Sequence, residues 1–258
     1  MLKICCLGSG SKGNCFFIES ERIKLLVDAG LNFSDIKSKL LEIGISILDI
    51  SGVLITHEHT DHIGGLTGFS NSGIPIFAHA RAARVIENKI RGLNMRAVNG
   101  EFDFYGIGVT SFNIPHDSAG PLGYRLSNGN ISVGIATDMG HISLSAAEGL
   151  KDCDCVVIEA NHDKDMLLNG KYPHALKKRI TGGRGHLSNL DCAELLSSIV
   201  TPRTKNVWLA HLSEENNLPE LAFETVVKEL QKIGITEGRD LKIETQKQHE
   251  KSRIICFS

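Results

Sequence analysis

The sequence lacks the features that mark secreted, metal-ribbon and membrane proteins. Its 258 residues include seven cysteines but no C-x-x-C pair, which excludes a disulfide framework and a zinc ribbon and favours buried, reduced thiols. No apolar run approaches the roughly 18 residues that cross a bilayer, and the apolar segment 4–7 is too short for a signal peptide. We therefore expect a cytoplasmic protein with no membrane partner.

The sequence also lacks a strong charge of either sign. The formal net charge is −2, so no global positive field draws nucleic acid or an anionic membrane to the surface, and only a local basic patch is left open. The hydrophobic content of 41% and the charged content of 22% are those of a globular chain. A chain of this size buries about 70 to 75% of its unfolded surface. We therefore expect any bound metal to serve chemistry rather than folding.

Apolar, β-branched runs alternate with segments of helical spacing along the whole chain. The predicted strands are residues 3–7, 15–19, 24–27, 52–56, 74–78, 108–113, 123–126, 131–136, 155–159 and 206–210. The predicted helices are residues 34–43, 80–89, 143–150, 173–179, 189–199 and 219–232. No repeat, linker or low-complexity tract interrupts them. The pattern predicts one α/β domain over residues 1–258, with two mixed sheets covered by helices.

A dense group of metal-binding side chains lies in the segment THEHTDH, residues 56–62, directly after a predicted strand. His57 and His62 are five residues apart, which excludes the helical H-E-x-x-H pair with its spacing of four. A strand-end loop instead allows His57 and His59 to bind one ion while Asp61 and His62 face another. The alternative is a solvated polar turn, which the density of imidazoles disfavours.

Four other polar residues share one arrangement, in which an apolar run ends in a single polar side chain beside a turn. They are Asp28, His116, Asp138 and His211. Each alone is more often a turn-capping carboxylate or a core histidine. Because active sites of layered α/β folds are assembled at strand ends, the four together with the loop motif predict one shared site.

The H-x-H-x-D-H motif with its separate His, Asp and His resembles the metallo-β-lactamase superfamily over almost the whole chain. The resemblance implies a four-layer αββα sandwich with two metal ions at one edge. It implies two ligand sets with Asp138 between them: His57, His59 and His116, and Asp61, His62 and His211. Asp28 is implied to orient a ligand through a hydrogen bond. Such mixed ligands suit zinc, manganese or iron, so the identity of the metal stays open.

Three further segments resemble the YycJ (WalJ) branch of this superfamily, whose members are DNA exonucleases. They are LGSGSKGN at residues 7–14, EANHD at 159–163 and GHLSN at 185–189. Glu159 and the GHLS segment also resemble the Glu and His pair of the tRNA 3′-processing endonucleases. The resemblance implies that His186, supported by Glu159, contacts the scissile phosphate or assists proton transfer to the leaving oxygen. Asp61, Glu159 and His186 are the predicted catalytic residues.

Phosphodiester chemistry also fits the predicted metals on physical grounds. Two divalent ions about 3.5 to 4 Å apart activate a bridging hydroxide and neutralise the phosphate. The stretch 164–184 carries six lysines and arginines against one acid and leads into His186, which predicts sequence-independent contacts to a DNA backbone. A solvated helix face is the alternative. The predicted substrate contacts are Ser9, Ser11, Asn14, His162, Lys177, Lys178, Arg179 and Arg184.

The predicted function is therefore that of a metal-dependent DNA exonuclease. The main alternative is a hydrolase of a cyclic phosphodiester, thioester or lactone, in which the basic stretch folds away and a narrow pocket encloses the metals. An oxidoreductase of the diiron type usually has a carboxylate in place of one motif histidine, whereas His59 is intact here. A binding module without catalysis is disfavoured because every ligand position is filled. Strandedness, polarity, DNA against RNA, and the oligomeric state are left open.

Overall fold

The computed structural model describes all residues from 1 to 258. The strands are β1 (Leu2–Gly8), β2 (Cys15–Ser20), β3 (Lys24–Val27), β4 (Gly52–Leu54), β5 (Pro75–His79), β6 (Asn94–Val98), β7 (Glu101–Phe104), β8 (Ile107–Asn113), β9 (Leu122–Asn128), β10 (Ile131–Ala136), β11 (Cys155–Glu159), β12 (Asn206–Ala210), β13 (Lys242–Thr245) and β14 (Ile255–Phe257). The helices are α1 (Phe33–Glu42), α2 (Thr60–Ile63), α3 (Ala80–Lys89), α4 (Leu144–Leu150), α5 (Lys164–Asn169), α6 (His174–Ile180), α7 (Asn189–Ile199) and α8 (Pro219–Lys232).

The strands form two sheets of seven strands each. The first sheet has the order β14-β1-β2-β3-β4-β5-β6 and the second the order β13-β12-β11-β10-β9-β8-β7. Strands β3 to β6 pair in parallel, as do β10 to β13, whereas the other pairings are antiparallel. Both sheets are therefore mixed, as the sequence predicts.

Side chains alternate between two cores along each central strand, because successive residues of a strand point to opposite faces. In β1, Ile4 lies in the core between the sheets, whereas Cys5 lies in the core shared with α1 and α3. In β11, Val157 faces the other sheet and Ile158 faces a core that includes residues of α4, α7 and α8. Helices, two sheets and helices therefore form four layers, which confirms the predicted αββα sandwich.

The ten predicted strands and six predicted helices are confirmed, with shifts of a residue or two at several ends. The structure adds two helices, α2 and α5, and four strands that the sequence did not predict, namely β6, β7, β13 and β14. Residues 60–63 of the predicted strand-end loop form the one-turn helix α2. The four added strands are the edge strands of the two sheets. Edge strands are half exposed and carry charged side chains, such as Glu101 and Asp103 in β7, so their apolar pattern is weak.

The cysteines form no disulfide. Six of the seven are buried as free thiols, and Cys256 is exposed, which confirms the prediction of unpaired thiols. No helix of the structure combines the length and the apolar character that crossing a bilayer requires.

Candidate active site

Five strands deliver the predicted site residues to one edge of the sandwich. Asp28 directly follows β3, and the THEHTDH segment begins two residues after β4. Asp138, Glu159 and His211 lie at the carboxyl ends of β10, β11 and β12. Parallel pairing brings together the carboxyl ends of β3 and β4 in one sheet and those of β10, β11 and β12 in the other. Contacts of His62 with Asp138 and of Asp61 with His211 join the two sets at one place.

Three of these residues have a strained backbone. The φ angles of Asp28, Asp138 and His211 are 60°, 62° and 54°. The left-handed region costs roughly 1 to 2 kcal/mol for a residue with a Cβ, and such strain clusters at functional sites. In each case the turn follows a buried strand, so the strand fixes the backbone position that carries the side chain.

The first ligand group is formed by three histidines. His57 Nε2 lies 3.1 Å from His59 Nδ1, which lies 3.3 Å from His116 Nε2. Ligand atoms at 2.0 to 2.1 Å from a tetrahedral ion are about 3.3 to 3.4 Å apart. The three nitrogens therefore have the spacing of ligands around one ion.

The second ligand group combines imidazole and carboxylate. His62 Nε2 lies 3.3 Å from Asp61 Oδ2 and 3.1 Å from Asp138 Oδ2. Asp61 Oδ2 in turn lies 3.3 Å from His211 Nε2. These distances again match neighbouring ligands on an ion.

The outer nitrogen of His62, Nε2, faces two carboxylate oxygens that carry lone pairs and lies 3.2 Å from the amide Nδ2 of Asn14. Its Nδ1 lies 2.8 Å from Asp28 Oδ2, so a neutral ring with its proton there presents the lone pair of Nε2 to Asp61 and Asp138. Asp138 Oδ2 is buried without any hydrogen-bond donor. Lone pairs gathered in this way are stable around a cation, so the residues present fit a metal ion.

The pKa values of the rings agree with this electrostatic arrangement. Burial lowers the pKa of His57 and that of His116 below the ordinary value, so both rings are neutral and able to ligate. Burial also opposes ionisation of His62, but Asp28, Asp138 and Asp61 raise its pKa well above the ordinary value. The second group therefore favours a positive charge, which a divalent ion would supply.

Hydrogen bonds to the ring nitrogens that point away from the ligand groups fix the orientation of the ligand rings. Asp28, fully buried, accepts from the hydroxyl and the backbone N–H of Thr56 as well as from His62. The Nδ1 of His116 lies 3.1 Å from the carbonyl oxygen of Gly185. Asp28 thus occupies the orienting position that the resemblance implies, whereas the part of Thr56 was not predicted from the sequence.

Glu159 connects two histidines of the site. Its Oε1 accepts from His186 Nδ1 at 2.7 Å and from His211 Nδ1 at 2.8 Å, while Oε2 accepts from the backbone N–H groups of Met139 and Leu187. Burial disfavours the carboxylate, but His186 and these hydrogen bonds hold its pKa at about 2. Glu159 is fully buried and all its bonds are internal, so it lies behind His186 in the supporting position that the resemblance implies, and its part in catalysis stays a prediction.

His186 faces the open side of this cluster. Its ring lines a cavity of about 230 Å³ together with Asp61, Asp138 and His211, and its Nε2 has no protein partner. Burial alone would lower the pKa of His186, but the Glu159 carboxylate raises it above the ordinary value. The ring is therefore suited to carry a proton into the cavity.

Helix α6 and the segment before it cover one side of the cavity. Tyr172, Leu176 and Arg179 line it. Arg179 also forms a forked ion pair with Asp117, with Nε at 2.6 Å and Nη2 at 3.0 Å from the two carboxylate oxygens. Asp117 was not predicted from the sequence, although it directly follows His116. The basic stretch therefore borders the site, although Arg179 is the one of its six cations that lines this cavity.

The structure corrects several predicted substrate contacts. Ser9 and Asn14 are buried, where the Ser9 hydroxyl donates to Asn14 Oδ1 and accepts from the backbone of His211. Lys177 donates to the carbonyl oxygens of Leu168 and Gly170 and thereby caps α5. These three side chains form internal hydrogen bonds and do not line the cavity.

The other predicted contacts divide into two sets. Ser11 and Arg179 line the metal-site cavity. His162 is buried, and burial lowers its pKa to about 4. It lines an adjacent cavity on the other side of His186. Lys178 and Arg184 are exposed and line neither cavity, so their contact with a substrate stays a prediction.

Gly30 allows the loop after β3 to approach the motif loop, and its replacement tests that packing. A Cβ at this position would lie 1.6 Å from the Asp61 carbonyl oxygen. We expect Gly30→Ala to displace Asp61, to lower activity at least tenfold and to reduce the free energy of unfolding by about 1 to 3 kcal/mol. Activity and urea unfolding measure the two effects. Gly183→Ala is the control, because its nearest atom would be His141 Nδ1 at 3.9 Å, and an equal loss there would contradict the expectation.

The comparison with known families agrees with the fold and the ligand groups. The profile of the beta-lactamase superfamily domain matches residues 24–211, from the first residue of β3 to His211. The chain therefore belongs to the metallo-β-lactamase superfamily.

Curated relatives cover nearly the full length of the chain. Exodeoxyribonuclease WalJ of Streptococcus pneumoniae is 39% identical over 245 residues, which are 92% of this chain and 91% of the relative. Exodeoxyribonuclease YycJ of Bacillus anthracis is 35% identical over 243 residues and 92% of both chains. Among solved structures, the metallo-beta-lactamase fold protein YhfI from Bacillus subtilis superposes with a TM-score of 0.74 at 14% identity, covering 98% of this chain and 100% of its own.

Proposed function

We propose that this chain is a two-metal phosphodiesterase that degrades DNA from an end. The position of Asp138 carries the proposal. Its Oδ2 lies 3.1 Å from His62 Nε2 in the second ligand group, and its Oδ1 lies 3.8 Å from His116 Nε2 in the first. A carboxylate shared in this way supports two ions close together, as in enzymes that displace an oxygen at phosphorus. Zinc, manganese and iron are the metals that suit these ligands.

Divalent ions held by His57, His59, Asp61, His62, His116, Asp138 and His211 would neutralise the phosphate and lower the pKa of water. Protonation of the leaving group is assigned to a side chain of the protein. His186, with its raised pKa, is placed to donate a proton from Nε2 to the departing oxygen. Glu159 holds the ring by its Nδ1–H, so that the acidic proton is on the side of the cavity.

Three observations support a nucleic-acid end as the substrate. Two relatives that align with 92% of this chain are named exodeoxyribonucleases. Arg179, a planar phosphate-binding group, lines the cavity from helix α6. The cavity is bordered by Ser11 and Ser213 as well, which offer hydroxyl groups to a backbone. We also propose a cytoplasmic location, which the seven free thiols support.

The test is hydrolysis of end-labelled double-stranded DNA, single-stranded DNA and RNA by the purified protein with Mn²⁺ and with Zn²⁺. We expect progressive shortening of DNA, and the label that is released first gives the polarity. Asp61→Ala is the contamination control, because Asp61 is a partly exposed member of the second ligand group. Turnover of a small phosphodiester or thioester without cleavage of any polymer would contradict the proposal, as would full activity of Asp61→Ala.

A further inference from the structure

A group of exposed cations lies outside the basic stretch that the sequence singles out. Between residues 62 and 100 the chain has five basic residues, Arg81, Arg84, Lys89, Arg91 and Arg96, against one acid, Glu87. All five are exposed. In a chain of net charge −2, this segment is a local concentration of positive charge. We call Arg81, Arg84, Lys89 and Arg91, which lie on and just after helix α3, the α3 patch.

The arginines of the α3 patch are free of protein partners. Arg81, Arg84 and Arg91 form no ion pair and no side-chain hydrogen bond, and Glu87 forms no ion pair either. The basic stretch 164–184 differs, because Arg179 pairs with Asp117 and Lys164 with Asp191. In an unpaired guanidinium group the charge is not offset by a carboxylate and the N–H donors are free for an external partner.

Helix α3 presents its cations on the side away from the core. Ala82, Ala83 and Ile86 are its buried residues. Arg81 and Arg84 are three positions apart, so they share a face of the helix, and that face is opposite to the buried one. A helix of ten residues is about 15 Å long, which matches roughly four base pairs at 3.4 Å per step.

The α3 patch adjoins the candidate active site through two contacts. His79, the last residue of β5, caps the start of α3, and its ring packs against Gly120, where a Cβ would lie 2.1 Å from Nδ1. Gly120 lies in the loop that carries His116. Lys89 Nζ donates to the carbonyl oxygen of Glu58, which stands between His57 and His59. Both ends of α3 therefore border the loops that hold the first ligand group.

We infer that the α3 patch binds the phosphate backbone of the DNA whose end occupies the active site. This inference rests on the proposed function. It specifies where the DNA beyond the reacting nucleotide lies on the protein surface. Arginines that form no ion pair contact phosphates regardless of base sequence, which an enzyme that advances along DNA requires. The patch also explains how a chain without a global positive field attracts a polyanion.

The test compares a triple variant, R81A/R84A/R91A, with the wild-type protein on a long DNA duplex and on a small chromogenic nucleotide phosphodiester. We expect kcat/KM on DNA to fall at least about tenfold, and the slope of log affinity against log salt to become shallower by about 2.7, at about 0.9 for each lost phosphate contact. Activity on the small ester stays unchanged. The matched control is R22A/K151A/K228A, which removes three exposed cations that form no ion pair and lie outside the α3 patch.

The outcomes separate this inference from the proposed function. If the wild-type protein cleaves DNA but the triple variant keeps its kcat/KM and salt slope, the inference is wrong and the proposed function stands. An equal loss in the control variant would also overturn it. Binding of anionic vesicles that depends on the patch, with DNA cleavage unchanged, would assign the surface to a membrane instead. A wild-type protein that cleaves only the small ester would contradict the proposed function itself.

Discussion

Replacing Asp138 by asparagine is expected to lower turnover of DNA about a thousandfold or more. The carboxylate lies between the two ligand groups, so its loss weakens both proposed ions at once. A loss of about 4 kcal/mol in transition-state stabilisation corresponds to about a thousandfold in rate. Asparagine suits this test because it has the same shape and tolerates the positive φ of 62°. Steady-state kinetics and metal content by mass spectrometry measure the effect.

Asp152→Asn is the matched control for this prediction. Asp152 has a φ of 58°, yet it is exposed and lies in no ligand group. We expect wild-type kinetics and metal content from it. Asp138→Asn with normal turnover would mean that the carboxylate does not join the two groups.

The second large effect is expected at His186. His186→Ala should lower kcat by about 10² to 10⁴, the usual contribution of a positioned general acid or base, while the bound metal is kept because no predicted ligand is removed. The rate of the wild-type protein should fall as the pH rises through the pKa of His186, which lies above its ordinary value, because the acid form is lost. The variant should lack this alkaline limb. His141→Ala is the control, because His141 is exposed, contacts the carbonyl oxygen of Gly183 and belongs to no ligand group.

Glu159→Gln tests the origin of that raised pKa. Removal of the negative charge leaves burial as the main influence on His186, so its pKa should fall and the alkaline limb should move to lower pH. Because glutamine has the same shape as glutamate and can still accept the hydrogen bond of His186, this effect is distinct from the loss of the imidazole in His186→Ala. A pH profile that is the same in Glu159→Gln and the wild-type protein would show that His186 is not the titrating acid.

The ligand groups were predictable from sequence because strands place them. Asp28, Asp138 and His211 each follow an apolar run that could only be a buried strand, and parallel strands end at one edge. The local motif adds His57, His59, Asp61 and His62 in one loop. Short-range pattern and topology together therefore predicted which residues meet. The structure brings the predicted ligands into two groups of metal-binding atoms, with Asp28 hydrogen-bonded to His62 behind them.

The residues that support the site were less predictable. Ser9 and Asn14 look like phosphate donors in a glycine-rich loop, but their partners are the backbone of His211 and the motif loop, which are distant in the sequence. The Arg179 and Asp117 pair joins helix α6 to the His116 loop across 62 positions. No local pattern encodes such partners. The α3 patch was not predictable for the same reason. That its arginines form no ion pair is known only once the positions of all Asp and Glu side chains are known.

Titration of metal-free protein with Mn²⁺, with DNA hydrolysis followed at each addition, tests the two-metal account most directly. The account predicts no hydrolysis without metal and a plateau at two equivalents per chain. Asp138→Asn should not recover under the same titration. A plateau at one equivalent, or hydrolysis by the metal-free protein that chelator does not suppress, would contradict the account.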